Sequence, residues 1–325
     1  MLERFDFQDG KVVASALGRS VLVYVAPTEA ERKALVEEEG IDPHDLASAL
    51  DPDELGRLEH AAGRASIIIK QPRNFTSENE LLFTVTSMGL FLFPRRLVVV
   101  TTDPLEIFED KMVRKVANPR DAVLKIMYGS IAHFLGHLRV INMLSEALEK
   151  RVNASMGNRY LLDMFTLEKS LVYFVNGIAS NQMVLEKMRA GAAKLKLGAA
   201  QVEVLEDILI ENQQCSKQAE IYSNILTGLM DARGSVVNNN LSILMKRLTV
   251  ISVVFMPMTV IAGMGGMSEF STWTAGVPWP LSYGLFTLGL VGTGFLTYWI
   301  LKKSGIDRDE TEAGRKRGRS PRIPR

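Results

Sequence analysis

Met245, Thr249, Ser252, Met256, Thr259, Gly263 and Gly266 recur along the chain at alternating steps of four and three. That spacing sets them on one stripe of a helix. Hydroxyls, thioethers and bare glycine backbone in one line are what a helix lining a watery path presents to a passing ion. Val250, Val253, Val254, Phe255, Val260 and Ile261 fall on the other faces and suit lipid or a second helix. A packing stripe between membrane helices is the competing reading, because small residues and Ser or Thr are enriched there too. Leu248 and Met256 are the apolar side chains able to narrow such a path and close it by dewetting.

The element that must carry the stripe is KRLTVISVVFMPMTVIAGMGGM, Lys246 to Met267. Two positive charges open it, and about twenty uncharged residues follow, enough to cross the hydrocarbon core as a helix. A second apolar run, about Pro280 to Leu301, stops at Lys302 and Lys303. The connection from Ser268 to Trp279 reads as a short loop with Glu269 and no Lys or Arg, and its Trp273 and Trp279 suit a membrane interface. Lys246, Arg247, Lys302 and Lys303 all flank the membrane on the side of the large N-terminal region. The positive-inside rule then places both termini in the cytoplasm and the loop outside. Two spans cannot enclose a pore, so conduction needs a ring of subunits with the first span innermost. That span points outward with the negative end of its macrodipole. Converging ends, free carbonyls on Gly263-Met264-Gly265-Gly266 and the carboxylate of Glu269 would make an electronegative mouth that favours cations. The span holds no Asp, Glu, His or Cys, so a bare divalent ion would lack its usual ligands. A largely hydrated ion is expected, and Mg²⁺ keeps its waters most firmly.

The rest of the composition narrows the function further. Lys and Arg total 38 against 37 Asp and Glu, so nucleic acid is not an expected partner. The single cysteine, Cys215, permits no intramolecular disulfide and points to a reducing compartment. His133 and His137 lie four apart on a predicted helix, a geometry able to hold Zn²⁺ if other ligands join. With two ligands alone, a solvated or core face is the expected role. No nucleophile, base and acid set is assembled, and no Gly-rich phosphate loop follows a strand. Neither an enzyme nor a prosthetic group is expected; the metal ion is cargo or regulator. The opening MLERFDFQDG reads as neither a secretory signal nor a transit peptide. The closing GRKRGRSPRIPR is strongly basic and is expected to be a disordered, solubilising tail, with contact to anionic lipid as the alternative.

Six segments follow: an α/β domain over 1–117, a helical and stalk domain over 118–247, a first span at 248–267, a loop at 268–279, a second span at 280–301 and a basic tail at 302–325. In the first, VVASAL, VLVYVA, ASIIIKQ, LLFTVTSMGLFLF and RLVVVTT read as strands, with a turn at Phe93-Pro94-Arg95-Arg96. Thr28 and Glu31 form a capping box for a helix that stops at Gly40. Asp42-Pro43 opens a second helix, and Asp51-Pro52 is expected to open a third, DPDELGRLEHA. Helical periodicity then runs from Asn118-Pro119 to about Ala154, from about Arg159 to Arg189, and from about Ala199 into the membrane. Three asparagines, Asn238 to Asn240, precede the membrane and are poor helix formers. They read either as the lining of a wet funnel or as a frayed juxtamembrane turn.

YSNILTGLMDARGSVVNNNLSILMKRLTVISVVFMPMTVIAGMGGM, and FMPMTVIAG within it, resembles the stalk end and first span of the CorA-type divalent cation transporters, including their zinc-transporting ZntB branch. YVAPTEAERKALVEEEGIDPHDLASAL, FLFPRRLVVVTTDPLEIFE and TLEKSLVYF are similar to the family more weakly. The resemblance implies a funnel-shaped homopentamer in the bacterial inner membrane, with a cytoplasmic α/β domain, a long stalk helix running into the first span and the second span outside it. It carries pore positions onto Met245, Leu248, Thr249, Ser252, Met256, Thr259, Gly263 and Gly266, nearly the stripe derived above. It carries a polar ring below the membrane onto Ser242 and an acidic position that binds regulatory metal in some members onto Asp207. The family's Gly-Met-Asn or Gly-Val-Asn hallmark falls on Gly266-Met267-Ser268, preceded by Gly265 where an aromatic is usual. Serine is shorter than asparagine and offers a hydroxyl in place of a stiff amide. The resemblance therefore implies a divalent cation transporter, with Mg²⁺ first, Zn²⁺ or another transition ion second, and a non-conducting membrane sensor as the rival from another class.

Overall fold

The computed structural model describes residues 1–61, 63–73, 81–104, 115–154 and 159–303. The expected basic tail lies, beyond Lys303, outside the described residues. The chain divides into two compact units, Met1–Asp231 and Ala232–Arg325.

The first unit is built on a seven-stranded sheet: β1 (Leu2–Gln8), β2 (Lys11–Ala14), β3 (Val21–Val25), β4 (Arg57–Ala61), β5 (Arg64–Pro72), β6 (Val85–Leu92) and β7 (Leu97–Thr101). Their order is β2-β1-β3-β7-β6-β5-β4. Only β3 and β7 pair in parallel. The period-2 alternation of side chains lets each central strand feed two cores. Leu22, Tyr24, Ile68, Phe91, Val98 and Val100 pack with Leu35 and Leu46, which belong to the helices α1 (Glu29–Glu37) and α2 (Pro43–Leu50). Val21, Val23, Ile67, Ile69, Leu90 and Val99 belong to the other core, with α3 (Pro119–Ala154) and α4 (Arg159–Ala190).

Local signals act as the sequence leads one to expect at several ends. Thr28 Oγ1 accepts from the N–H of Glu31 at 3.4 Å, and a Glu31 oxygen accepts from the N–H of Thr28 at 2.8 Å. Asp42 caps α2 by accepting from the N–H of His44 at 2.8 Å. Asn118 Oδ1 accepts from the N–H groups of Arg120 and Asp121 at 3.0 and 3.2 Å and opens α3. No strand is expected over the first ten residues, yet Leu2–Gln8 forms β1 and pairs in a hairpin with β2, which overlaps the expected strand VVASAL. Asp9 and Gly10 turn it with φ of 50° and 74°, the left-handed pair that Asp-Gly favours in a tight hairpin.

The expected third helix does not form. Asp51 Oδ1 instead accepts from the N–H of Asp53 at 2.9 Å in a turn, and Arg57–Ala61 continues as β4 against β5. The Gly56 N–H donates to Ser180 Oγ of α4 at 2.7 Å, and a Cβ on Gly56 would overlap that hydroxyl. Arg57 binds Asp45 Oδ1 at 3.1 Å and Glu54 at 2.8 Å. These distant partners outweigh the local Asp-Pro start signal.

β5 outruns β4, whose last pair is Arg57 with Ile68. Lys70 therefore has no strand on that side. Asn181 of α4 fills the gap: its Oδ1 accepts from the Lys70 N–H and its Nδ2 donates to the Lys70 carbonyl, both at 2.7 Å. Ser130 of α3 donates to the same carbonyl at 2.9 Å. One backbone residue thus anchors both long helices to the sheet.

α5 runs without interruption from Ala199 to Gly265. Gly228, Gly234 and Ser235 to Asn240 are all helical within it, so the frayed-turn reading of the asparagines is not realised. In the first unit α5 buries Leu205, Ile208, Leu209, Cys215, Ala219 and Leu226. The second unit holds the rest of α5, then α6 (Ser268–Trp273) and α7 (Trp279–Lys303). The connection expected as a loop thus contains a short helix.

Asn181→Leu strands a buried N–H on Lys70 while keeping the branched shape of the side chain. It is expected to cost about 2 kcal/mol. Thermal unfolding of the detergent-solubilised chain should show a clearly lower midpoint; an unchanged midpoint would refute the strand-mimic role of Asn181.

Candidate functional site

α5 and α7 are each long and apolar enough to cross a membrane. Their surfaces expose Met256, Phe255, Leu288 and Phe295 at 66, 58, 73 and 72%. An apolar sheath on this scale belongs in lipid or against another subunit and not in water.

The two helices meet through reciprocal glycines. Gly265 of α5 is buried beneath the ring of Phe286, and Gly294 of α7 is buried against the sulfur of Met258. Val254, Pro257 and Ile261 are half-buried on the same side of α5. At about 100° per residue this side lies roughly 180° from the polar stripe. Met245, Thr249, Ser252, Met256, Thr259, Gly263 and Gly266 are all exposed, as are Ser242 and Leu248. Met258, Phe286 and Gly294, which set this rotation, are not singled out by the sequence. Their signal was faint, since glycines recur throughout α7 at 284, 289, 292 and 294.

Each hydroxyl of the stripe is held by its own helix. Thr249 Oγ1 donates to the Met245 carbonyl at 2.9 Å, Ser252 Oγ to Leu248 at 3.0 Å and Thr259 Oγ1 to Phe255 at 2.9 Å. The proton is spent on the backbone, so each oxygen offers lone pairs outward. A hydrated cation turns its water hydrogens outward and needs such acceptors. Thr287, Thr293 and Thr297 of α7 bond their own turns in the same way.

At the C-terminal end of α5 the turn engages part of what was expected to be free. The Gly266 N–H donates to the Ala262 and Gly263 carbonyls at 3.2 Å, and the Met267 N–H donates to Met264 at 3.2 Å. None of the described turn bonds ends on the carbonyls of Gly265 or Gly266. With its Cα against Phe286, Gly265 has only that carbonyl to offer a mouth. Met267, Ser268 and Glu269 are exposed, and Ser268 Oγ donates to Glu269 Oε2 at 3.4 Å.

The remaining candidates lie in the first unit. Asp207 is exposed on α5 and lines a cleft of about 730 Å³ with Lys115, Lys125, Tyr128 and Gln201. Cys215 is fully buried, and burial pushes its thiol up to about 12. It has no thiolate to offer as nucleophile or ligand. His133 and His137 face each other with their Nε2 atoms 2.9 Å apart. Among the described residues no third His, Cys, Asp or Glu joins them to form a metal cluster.

Two outcomes follow. A Cβ on Gly265 overlaps a rigid ring that itself stacks on Phe270 at 5.1 Å, whereas one on Gly294 meets a flexible thioether at 2.8 Å. Gly265→Ala should therefore lower the thermal midpoint more than Gly294→Ala; the reverse order would contradict this seam. Burial, and secondarily the charge of His133, pushes His137 down from 6.5 to about 4. Between those values the unfolded chain binds more protons than the folded one. The stabilisation is complete above about pH 6.5 and is lost as pH falls through the window. The midpoint should fall on acidification across it, and should fall less in His137→Gln; equal slopes would exclude His137 as the titrating group.

The comparisons agree with this architecture. Residues 22–303 match the model of the CorA-like Mg²⁺ transporter protein family. The cobalt/magnesium transport protein CorA of Methanocaldococcus jannaschii is 25% identical over 252 residues, covering 74% of this chain and 77% of that one. The complete structure of the CorA magnesium transporter of the same organism superposes with a TM-score of 0.78 at 20% identity, covering 94% of this chain and 98% of that one. The ZntB cytoplasmic domain of Vibrio parahaemolyticus superposes with a TM-score of 0.58 at 11% identity, covering 73% of this chain and 98% of that one. The fold is thus the expected one, an α/β sheet domain, a long helix and two C-terminal apolar helices, and the chain belongs to the CorA-like Mg²⁺ transporter protein family, a family of membrane transporters and not of enzymes.

Proposed function

We propose that this chain conducts a largely hydrated divalent cation, Mg²⁺ first, across the bacterial inner membrane. It does so as a homopentamer whose axis is lined by the polar stripe of α5. The observation that carries the reading is the opposition of the two faces of α5. The side packed on α7 is apolar, and the opposite side presents acceptor oxygens whose protons are already bonded. One subunit supplies one wall, so a closed path needs a ring.

Several observations support the ion and the orientation. No carboxylate, imidazole or thiol lies between Leu248 and Met267, so no residue there replaces the inner waters of Mg²⁺. The Methanocaldococcus jannaschii relative is a cobalt/magnesium transport protein. Lys246, Arg247, Lys302 and Lys303 put both ends of the spans on the cytoplasmic side. Ser242 forms a polar ring at the inner entrance, Leu248 and Met256 form the apolar constrictions, and Gly265 to Glu269 form the outer mouth. Asp207 is the candidate regulatory position.

Ser268 favours a second reading. Where the family carries asparagine, this chain has a serine whose hydroxyl leans on Glu269 at 3.4 Å. A ring of such serines stands farther from the axis and grips hydration water less well. On this reading the chain passes Zn²⁺ or another transition ion, or conducts nothing and senses metal or membrane state.

Flux into liposomes, with Mg²⁺ and Zn²⁺ supplied separately, decides among these. Flux of one ion in the native protein that Thr259→Trp reduces to background is the expected result, with Mg²⁺ first, and the ion so blocked is the cargo. Flux untouched by Thr259→Trp would refute the pore. No flux of either ion, restored by Ser268→Asn, would establish the non-conducting reading. In the same assay Asp207→Ala should change the metal dependence of opening and leave ion preference unaltered; an unchanged dependence would remove Asp207 from regulation.

A further inference from the structure

The two histidines of α3 are packed in a way that an ordinary core position does not require. His137 sits edge-on to Phe83 with ring centroids 5.4 Å apart and edge-on to Phe174 at 6.0 Å. Phe174 is in turn edge-on to Phe134 at 5.2 Å. Phe83 is buried, and its N–H is bonded to Ser170 of α4 at 3.0 Å. The cage is therefore built from α3, α4 and the chain entering β6, and it locks the His137 ring. The edge left open carries Nε2, which lies 2.9 Å from Nε2 of His133, one turn earlier on the same helix. Both rings remain half-exposed, so solvent reaches them.

We infer that His133 and His137 form a seat for a borderline transition ion, such as Co²⁺, Ni²⁺ or Zn²⁺, outside the conduction path. Two imidazole nitrogens bound to one tetrahedral ion at about 2.0–2.1 Å each stand about 3.3 Å apart. The observed 2.9 Å needs an opening of only a few tenths of an ångström. Without metal the pair shares one hydrogen bond, so one Nε2 carries a proton. With metal that proton sits on Nδ1 of the same ring, and both Nε2 lone pairs face the ion. No proton is released. The surrounding rings fix His137 before the ion arrives, which lowers the ordering cost of binding. Imidazole nitrogen selects borderline ions over Mg²⁺, which takes oxygen. The pore stripe has hydroxyl and carbonyl oxygens and no imidazole. The chain would thus tell a transition ion from Mg²⁺ at a point where neither is transported.

The test is binding, and it does not depend on conduction. Co²⁺ is titrated into the full-length, detergent-solubilised protein in a large excess of Mg²⁺, which occupies oxygen sites. The visible absorption of Co²⁺ reports nitrogen ligation, and equilibrium dialysis gives the stoichiometry. Wild type should bind about one Mg²⁺-resistant Co²⁺ per chain. His133→Ala and His137→Gln should each weaken this by about tenfold or more, since either removes one of two protein ligands. His137→Gln removes a ring from the cage, so His133→Ala is the decisive variant should the other fold poorly. No Mg²⁺-resistant Co²⁺ in wild type, or equal binding in wild type and His133→Ala, would overturn the inference. Loss of the site with Mg²⁺ flux retained supports it, because the seat and the pore are then separate.

Discussion

An α-helix satisfies its backbone hydrogen bonds within itself, and α5 depends on that property throughout. From Ala199 to Gly265 one unbroken ladder passes from a segment that packs Leu205, Ile208, Cys215 and Leu226 into a hydrophobic core to a segment with apolar residues on its surface. No other backbone conformation tolerates both surroundings without a partner strand. Gly228, Gly234 and Asn238 to Asn240 weaken local propensity by up to about 1 kcal/mol per glycine. They do not interrupt the helix, because continuity is worth more than any one of these penalties. Pro257 is also carried within α5, at the cost of the donor that would have met the Val253 carbonyl.

Rotation of that helix about its axis decides what it can do. The rotation is set by contacts of very small extent: Phe286 over Gly265 and Met258 against Gly294. Where the driving force of water is missing, close approach at small residues orients one helix on another. The consequence is a polar stripe turned away from α7. Its oxygens keep their lone pairs because Thr249, Ser252 and Thr259 have already given their protons to the preceding turn. The same internal bond that makes a hydroxyl acceptable in a membrane turns it into a pure acceptor.

In the first unit buried polar groups do comparable positional work. Asn181 stands in for a strand that ends two residues too early, and Asp45 and Arg57 draw Ser66 and Ser48 into one cluster between α2, β4 and β5. Each group is expensive to bury alone and inexpensive in company. They specify where α4 and α2 sit on the sheet, which apolar packing by itself leaves loose.

Much of this was legible in the sequence. The caps at Thr28, Asp42 and Asn118, the strands β3, β5, β6 and β7, the three long helices and the polar stripe each rest on a pattern within a few turns of chain. Caps and periodicity are local interactions, and local interactions are written in neighbouring residues. β2 overlaps the expected strand VVASAL, whereas β1 was not expected, because Leu2–Gln8 carries little apolar signal and its pairing runs through the Asp9-Gly10 turn. The helix expected after Asp51 failed because Ser180 and Asp45 hold Gly56 and Arg57 from afar. The seam that sets the face of α5, the ring cage around His137 and the cleft beside Asp207 were not legible, because each joins residues far apart in the chain. Sequence alone determined which side chains share a face of α5. Only the tertiary structure decided which way that face turns, because rotation depends on where distant atoms meet and not on the order of residues along the helix.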